Sequence, residues 1–222
     1  MRAIILAAGR GERMRPLTDN TPKPLLEING KPLIQYQVEK LVSAGINDIV
    51  INHGIMGERI ENFLGNGQRL GANIIYSAEG NIPLETGGGI FHALPYLGNA
   101  PFIAINADIW TDFPYQNLRS TLDVDVQAHL ILVNNPAHNP HGDFSLNGGY
   151  ISNQGTSRYT FSGIGVYSYE LFRHCKGGVF PLAPLIREAA DRQEVTGEIY
   201  QGEWIDIGTP ERLQALSKSD KK

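Results

Sequence analysis

Short apolar runs alternate with amphipathic stretches over the first 106 residues, and this rhythm constrains the fold more than any other feature. Four apolar runs of four or five residues are predicted as buried strands: 3–6, 49–52, 73–77 and 102–106. Three stretches with apolar residues at helical spacing are predicted as helices: 33–42, 57–64 and 89–97. Strands that alternate with helices form parallel sheets with helices on both faces. We therefore predict an α/β fold with three layers, α/β/α, around a mostly parallel central sheet.

The regular alternation of predicted strands and helices ends after residue 110. Further strands are predicted at 128–133, 143–146, 150–152, 159–167 and 203–207, and further helices at 182–192 and 210–216. Two of these strands flank Asn147-Gly148-Gly149, and a glycine turn between short alternating runs predicts a hairpin. The chain has no internal repeat, so we expect one domain over 1–216 and a polar tail at 217–222.

Composition excludes several classes of protein. The single cysteine, Cys175, cannot form an internal disulfide and belongs to no metal-ligand cluster, which indicates a reducing cytoplasm. The first apolar run is too short for a signal peptide or a membrane span. Residues 1–23 carry five basic and two acidic side chains, whereas the rest of the chain carries 14 basic and 21 acidic ones. This distribution favours a small anionic ligand over a nucleic acid, which needs an extended basic face.

The first strand leads into a glycine-bearing basic segment, Leu6-Ala7-Ala8-Gly9-Arg10-Gly11-Glu12-Arg13-Met14, followed by Lys23-Pro24. Small residues let successive backbone N–H groups approach a phosphate, and Arg13 and Lys23 can neutralise its oxygens. The segment lacks the Lys-Ser/Thr of a Walker loop, and Met14 replaces the third glycine of the dinucleotide motif. From these residues alone, a tight turn with solvated arginines remains an alternative.

Two separated aspartates are candidates for a metal site. Asp108 follows the strand 102–106 at its carboxyl end, where open sheets bind ligands. Asp206 is the one carboxylate in an apolar run, Trp204-Ile205-Asp206-Ile207, and a buried carboxylate is costly unless it is paired or bound to metal. Mg²⁺ binds one or two carboxylates together with phosphate oxygens. Taken singly, each aspartate could instead cap a turn or a helix.

The two motifs together resemble the nucleotidyltransferases that join a nucleoside triphosphate to a sugar 1-phosphate. The resemblance rests on Leu6 to Met14 with Lys23-Pro24-Leu25, on Asn106-Ala107-Asp108, and on Trp204 to Thr209. It implies a Rossmann-like nucleotide-diphospho-sugar transferase fold, with a nucleotide-binding half at 1–110 and a sugar-binding half at 111–216. It also implies that Arg13 contacts the β- and γ-phosphates, Lys23 the α-phosphate, and that Asp108 and Asp206 hold Mg²⁺. Other residues expected to bind the nucleotide are Leu6, Ala8, Gly9, Gly11 and Glu12.

The same resemblance assigns the base and sugar sites. Leu84 to Gly89 is similar to the family's second glycine loop, which places Gly87 and Gly88 against the nucleobase, and Glu79 falls at a base-contacting position. The residues expected at the sugar are Asn106, Asp143, Ser162 and Gly163. Gly142-Asp143-Phe144 and Thr160 to Ile164 resemble a subgroup that uses UTP to activate N-acetylmuramic acid 1-phosphate in cell-wall recycling. Many relatives carry a Glu-Lys pair and Asn-x-Gly near Ser162, and Arg158 and Ser162-Gly163 stand here instead.

The expected reaction is attack of the sugar phosphate on the α-phosphate, with loss of pyrophosphate and without a general base, because the attacking phosphate is already ionised. Alternatives are a guanylyltransferase for mannose 1-phosphate, a thymidylyl- or uridylyltransferase for glucose 1-phosphate, a cytidylyltransferase for phosphocholine, a glycosyltransferase and a binding-only regulatory domain.

His129, His138 and His141 are expected on the surface or in packing. The chain has no room for the β-helix or dimerisation insert found in many relatives, so we expect a monomer, with a weak dimer as the alternative.

Overall fold

The computed structural model describes residues 1–120 and 122–219. Its strands are β1 (Ala3–Leu6), β2 (Glu27–Ile28), β3 (Lys31–Pro32), β4 (Asp48–His53), β5 (Asn73–Ala78), β6 (Phe102–Asn106), β7 (Ile109–Thr111), β8 (Ala128–Val133), β9 (Phe144–Asn147), β10 (Tyr150–Ser152), β11 (Arg158–Tyr167), β12 (Val195–Tyr200) and β13 (Trp204–Asp206). Its α-helices are α1 (Leu33–Ser43), α2 (Gly57–Leu64), α3 (Glu85–Leu97), α4 (Ala183–Asp191) and α5 (Pro210–Ser219).

Nine of these strands form one sheet in the order β5-β4-β1-β6-β11-β8-β12-β10-β9. The pairs β5–β4, β4–β1, β1–β6 and β8–β12 are parallel, and β11 and β10 run antiparallel to their neighbours. Seven of the nine strands in this described sheet therefore point the same way. The prediction of a mostly parallel sheet is confirmed.

Helices cover both faces of the sheet, because alternate strand residues point to opposite sides. Ile5 on β1 packs in the core that α1 and α2 complete, and the neighbouring Ile4 packs in the core that α3 and α4 complete. α5 closes a third, smaller cluster around Met14. The predicted three layers are present, and the buried Met14 anchors the segment that follows β1.

The long strand β11 joins the two ends of the sheet. Its residues Ile164–Tyr167 pair with β6, whereas Arg158 and Tyr159 pair with β9. The register with β8 shifts between Phe161 and Gly165, as in a β-bulge. A separate two-stranded sheet, β7 with β13, brings Asp206 opposite Ile109. The topology thus carries residues distant in sequence to the carboxyl ends of β1 and β6.

The structure differs from the sequence prediction at a few elements. β12 was not predicted, because Val195–Tyr200 interleaves polar residues and Gly197 with its apolar ones and forms no apolar run. α3 begins at Glu85 rather than at residue 89, so the three consecutive glycines are helical. α5 continues to Ser219, and residues 220–222 of the predicted tail lie outside the described residues. Within the described ranges, no helix is long and apolar enough to cross a bilayer.

Candidate active site

Two adjacent cavities open at the carboxyl ends of β1 and β6, where an open α/β sheet binds ligands. Each has a volume of about 220 Å³, and Leu6, Thr86 and Asn106 line both. The first, here called the cleft, is lined by Leu6, Ala7, Ala8, Gly9, Lys23, Pro24, Asn52, Glu79, Pro83, Glu85, Thr86, Asn106, Ala107 and Asp108. The second, here called the chamber, has Asp143, Phe144, Gly163, Tyr167 and Arg187 among its walls. The shared walls allow one extended ligand to occupy both.

The segment after β1 forms one wall of the cleft. The backbone N–H of Ala7 donates to Oδ1 of Asn52 over 2.8 Å, and no heavy atom lies close to where a Cβ on Gly9 would stand. Gly11 has φ +64°, and a Cβ there would lie 3.0 Å from Cβ of Lys23. Gly11 does not line the cleft itself, but its close packing positions Lys23, which does.

The predicted phosphate-binding cations differ in placement. Lys23 is only 8% exposed and donates from Nζ to Oδ2 of Asp108. Arg13 is exposed on a 3₁₀ turn, Glu12–Met14, and neither it nor Glu12 lines the cleft. The carboxylate of Glu12 lies 3.9 Å from the guanidinium of Arg10. Lys23 therefore lies in the cleft, whereas Arg13 lies outside it, and their contacts with phosphate remain predictions.

Asp206 does not line the cleft. It lies on β13, which pairs with β7, and β7 begins one residue after Asp108. The backbone N–H of Ile207 donates to the carbonyl oxygen of Asp108 over 2.9 Å. Nη1 of Arg212 donates to Oδ2 of Asp206 over 2.8 Å, and Nε2 of His138 lies 3.2 Å from the same oxygen. Both predicted metal-binding carboxylates are therefore paired with cations in this structure.

The second glycine segment is not a loop. Gly87 and Gly88 lie in the first turns of α3 and do not line the cleft. A Cβ on Gly88 would come within 2.2 Å of the carbonyl oxygen of Gly178, and the Gly88 N–H donates to the carbonyl of Phe180. These glycines allow α3 to pack closely on the segment at 178–180. The neighbouring Glu85, with φ +60°, borders the cleft instead.

Glu79 uses both carboxylate oxygens within the protein. Oε1 accepts from Nδ2 of Asn52 over 2.6 Å, and Oε2 accepts from the backbone N–H of Leu84 over 2.8 Å. Asn52 is 2% exposed and also holds the Ala7 N–H. Glu79 therefore connects the two walls of the cleft, and because it also lines the cleft, its predicted contact with the base remains a prediction.

The residues predicted at the sugar surround the chamber, except Ser162. Asn106 and Gly163 touch: Gly163 has φ +80°, and a Cβ there would lie 2.5 Å from Nδ2 of Asn106. Ser162 is 1% exposed and does not line the chamber, and its hydroxyl accepts from the N–H of Ile164. Oδ2 of Asp143 accepts from the backbone N–H of Phe161 over 2.8 Å. The bulge in β11 thus brings Gly163 against Asn106, which lines both the cleft and the chamber.

The chamber combines apolar walls with a few polar groups, as small-molecule sites commonly do. Tyr167 is fully buried, and burial raises the pKa of its phenol well above the ordinary value. Its hydroxyl has no hydrogen-bond partner among the described residues.

Comparison with known proteins decides the family. A model of the family described as "Nucleotidyl transferase" matches residues 2–222. N-acetylmuramate alpha-1-phosphate uridylyltransferase from Neisseria meningitidis is 48% identical over 96% of each chain, and the Caulobacter vibrioides protein of the same name is 30% identical over 94% of this chain and 92% of its own. The chain belongs to the nucleotidyl transferase family. A crystal structure of a putative glucose-1-phosphate thymidylyltransferase from Bacillus anthracis in complex with a sucrose has a TM-score of 0.85, with 24% identity, over 100% of this chain and 96% of that one.

The predicted family is confirmed, and so is the fold, which the Bacillus anthracis neighbour shares. Several residues that lie at this site were not predicted from the sequence. Thr86 stands within the second glycine segment, and Asn52 ends the predicted strand 49–52, so a polar residue at a strand end was a usable signal. His138, expected on the surface or in packing, contacts Asp206 through a long loop. Neither Arg187 nor Arg212 belongs to a motif, and each reaches the site only through the packing of its helix.

Proposed function

We propose that this chain transfers the uridylyl group of UTP to N-acetylmuramic acid α-1-phosphate, giving UDP-N-acetylmuramic acid and pyrophosphate. The observation that carries the proposal is the 48% identity, over 96% of both chains, to the Neisseria meningitidis uridylyltransferase. The paired cavities support it, because a nucleotide and a sugar would meet at the shared wall of Asn106 and Thr86.

The chain's own residues suit this transfer. In nucleotidyl transfer the protein mainly positions two polyanions and neutralises charge. Two unit charges about 4 Å apart repel by about 4 kcal/mol at an effective dielectric of about 20, so a buried cation such as Lys23 is valuable there. The segment at 6–13 would wrap the triphosphate, with Arg13 on its outer phosphates. The acceptor phosphate attacks the α-phosphate directly and needs no general base.

We further propose that Asp108 and Asp206 hold a divalent cation, with Mg²⁺ as the physiological ion. The donor set fits this ion: Asp108 lies in the turn between β6 and β7, Asp206 lies on β13, which pairs with β7, and one or two carboxylates are what Mg²⁺ needs when phosphate oxygens and water complete its shell. Among the described residues no group of three or more His, Cys, Asp or Glu side chains could hold a metal without a substrate. When bound, the cation would neutralise charge that develops on the phosphates. Lys23 and Arg212 would then be released to contact substrate oxygens.

A matrix of triphosphates against acceptors tests the substrates. Pyrophosphate release is measured for UTP, GTP, CTP and dTTP, each with the 1-phosphates of N-acetylmuramic acid, N-acetylglucosamine, glucose and mannose, and with phosphocholine. We expect the highest kcat/KM for UTP with N-acetylmuramic acid α-1-phosphate. Higher activity in any other combination would reassign the substrates, and no turnover in any combination would reject the proposed chemistry.

The metal proposal is tested by Asp108→Asn and Asp206→Asn, with Asp48→Asn as matched control because Asp48 lies at the opposite, amino end of β4. We expect turnover to fall by about 10²- to 10³-fold in the first two, as for loss of a major transition-state contact. Binding of Mn²⁺ in the presence of UTP, followed by electron paramagnetic resonance, should weaken in the same two variants and not in the control. Unchanged Mn²⁺ binding would show that these aspartates do not hold the ion.

We also propose that the enzyme acts as a cytoplasmic monomer in the recycling of cell-wall sugars. The single, partly buried Cys175 suits a reducing compartment. Light scattering at micromolar concentration tests the monomer, and a mass twice that of the chain would contradict it.

A further inference from the structure

The chamber contains a cation that no motif accounts for. Arg187, on α4, lines the chamber, and its guanidinium stacks on the ring of Phe144 at 4.8 Å from the ring centroid. Nη1 donates to Oδ1 of Asn153 over 3.2 Å, and Nη2 lies 3.4 Å from the carbonyl oxygen of Asp143. These contacts orient the guanidinium but use only two of its five N–H groups, both on neutral oxygens.

A second arginine reaches the same carbonyl. Nη2 of Arg158 donates to the carbonyl oxygen of Asp143, and Nε of Arg158 is buried without a partner among the described residues. Neither arginine forms an ion pair with a carboxylate in the described part of the chain. The Asp143 carboxylate accepts hydrogen bonds from the backbone N–H of Phe161 and from Nδ2 of Asn139. Two cations therefore converge on one neutral oxygen beside the chamber. Partly buried charges without counter-charges are costly, so this wall favours a bound anion.

We propose that Arg187, supported by Arg158, binds a carboxylate carried by the sugar and thereby selects an acidic sugar phosphate over its neutral counterpart. This inference rests on the proposed function, whose acceptor carries a lactyl carboxylate that N-acetylglucosamine 1-phosphate lacks. A guanidinium matches a carboxylate with two parallel N–H groups, whereas lysine offers only a point charge. The stacking on Phe144 fixes the plane of that fork before the sugar arrives.

The test compares two acceptors that differ only in the lactyl group, the α-1-phosphates of N-acetylmuramic acid and N-acetylglucosamine, with UTP. The variants are Arg187→Gln, Arg187→Lys and the control Arg192→Gln. Arg192 follows the same helix but is exposed and paired with Glu188 and Glu194. We expect wild type and control to prefer the acid. Arg187→Gln should lower kcat/KM for the acid by about 10- to 100-fold, with less than about a threefold change for the neutral sugar, and Arg187→Lys should fall between.

Thermal melting of each variant separates specificity from folding, and the ratio of the two kcat/KM values is insensitive to the amount of folded enzyme. Calorimetric binding of UDP-N-acetylmuramic acid against UDP-N-acetylglucosamine gives the same comparison without turnover. If Arg187→Gln does not fold, the ratio in Arg187→Lys decides. If kcat/KM falls by the same factor for both acceptors, so that their ratio is unchanged, the role of Arg187 is overturned, whereas the proposed uridylyl transfer is not. No transfer by wild type to either acceptor would overturn both proposals.

Discussion

Replacing Gly89 with alanine distinguishes helix propensity from packing, because the two predict opposite signs. Gly89 lies inside α3, where alanine should stabilise the protein by about 1 kcal/mol relative to glycine. A Cβ at this position, however, would lie 2.5 Å from Oε1 of Glu79 and 2.6 Å from Nδ2 of Asn52. Both atoms belong to the hydrogen bond that connects the two walls of the cleft, so the methyl group must displace that bond.

The magnitude follows from the bond that is lost. A hydrogen bond to a charged group contributes about 1.5–3 kcal/mol, and Asn52 is almost fully buried, so water cannot replace its partner. After subtracting the gain in propensity, we expect a net loss of about 0.5–2 kcal/mol in the free energy of unfolding. For a domain of this size that corresponds to a melting temperature lower by about 1–8 °C. The Ala7 N–H loses its fixed acceptor as well, so KM for UTP should rise.

Urea unfolding and thermal melting of the wild type, Gly89→Ala, Asn52→Ala and the double variant measure this. Because both substitutions act on one network, the double variant should lose less stability than the two single losses together. A higher melting temperature for Gly89→Ala, or additive losses, would show that the close approach of α3 to Glu79 does not matter.

Three further predictions concern single side chains. Lys23→Met should lower kcat for pyrophosphate release by about 10²-fold or more, with a melting temperature near that of the wild type, and equal activity would refute a role on the α-phosphate. Burial raises the pKa of the Cys175 thiol, so at neutral pH iodoacetamide should alkylate Cys175 more slowly than a small thiol, and faster reaction would contradict this. Burial alone would raise the pKa of Glu39, but hydrogen bonds from Lys31 and Gln35 outweigh it and lower the pKa. The stability that Glu39 contributes is therefore present above its ordinary pKa and lost as the pH falls below it, and Glu39→Gln should flatten the acid side of a plot of melting temperature against pH.

The elements that were predictable from sequence are those whose signal is local. β1, β6, β8 and α2 have the predicted bounds, because the spacing of apolar residues within each segment is enough to identify a buried strand or an amphipathic helix. β12 was missed because its partner, β8, supplies the hydrogen bonds and the burial that its own composition does not indicate. Leu84 to Gly89 was predicted as a loop from its resemblance to the family's second glycine loop, and only the packing of the segment at 178–180 shows why a helix needs Gly87 and Gly88 here.

In the candidate site, too, residues with a local sequence signal were predictable and residues without one were not. Lys23 and Asp108 belong to motifs next to strand ends, and the structure brings them into contact as expected of a shared ligand site. Arg187 and Arg212 could not be predicted, because a single arginine on an amphipathic helix carries no signal that distinguishes a solvated charge from a buried contact. Their positions depend on which helix face meets the sheet, and that is a property of the whole fold.

The pairing of β11 with both β6 and β9 limits how this enzyme could be recombined with its relatives. One continuous strand supplies backbone hydrogen bonds to the parallel strands behind the cleft and to the hairpin beside the chamber. A chimaera joined near residue 110 would therefore place a foreign strand against β6, and the register of that pairing sets the position of Gly163 against Asn106. Acceptor specificity in this architecture should be transplantable by individual side chains on α4, but not by exchanging the second half of the chain as a block.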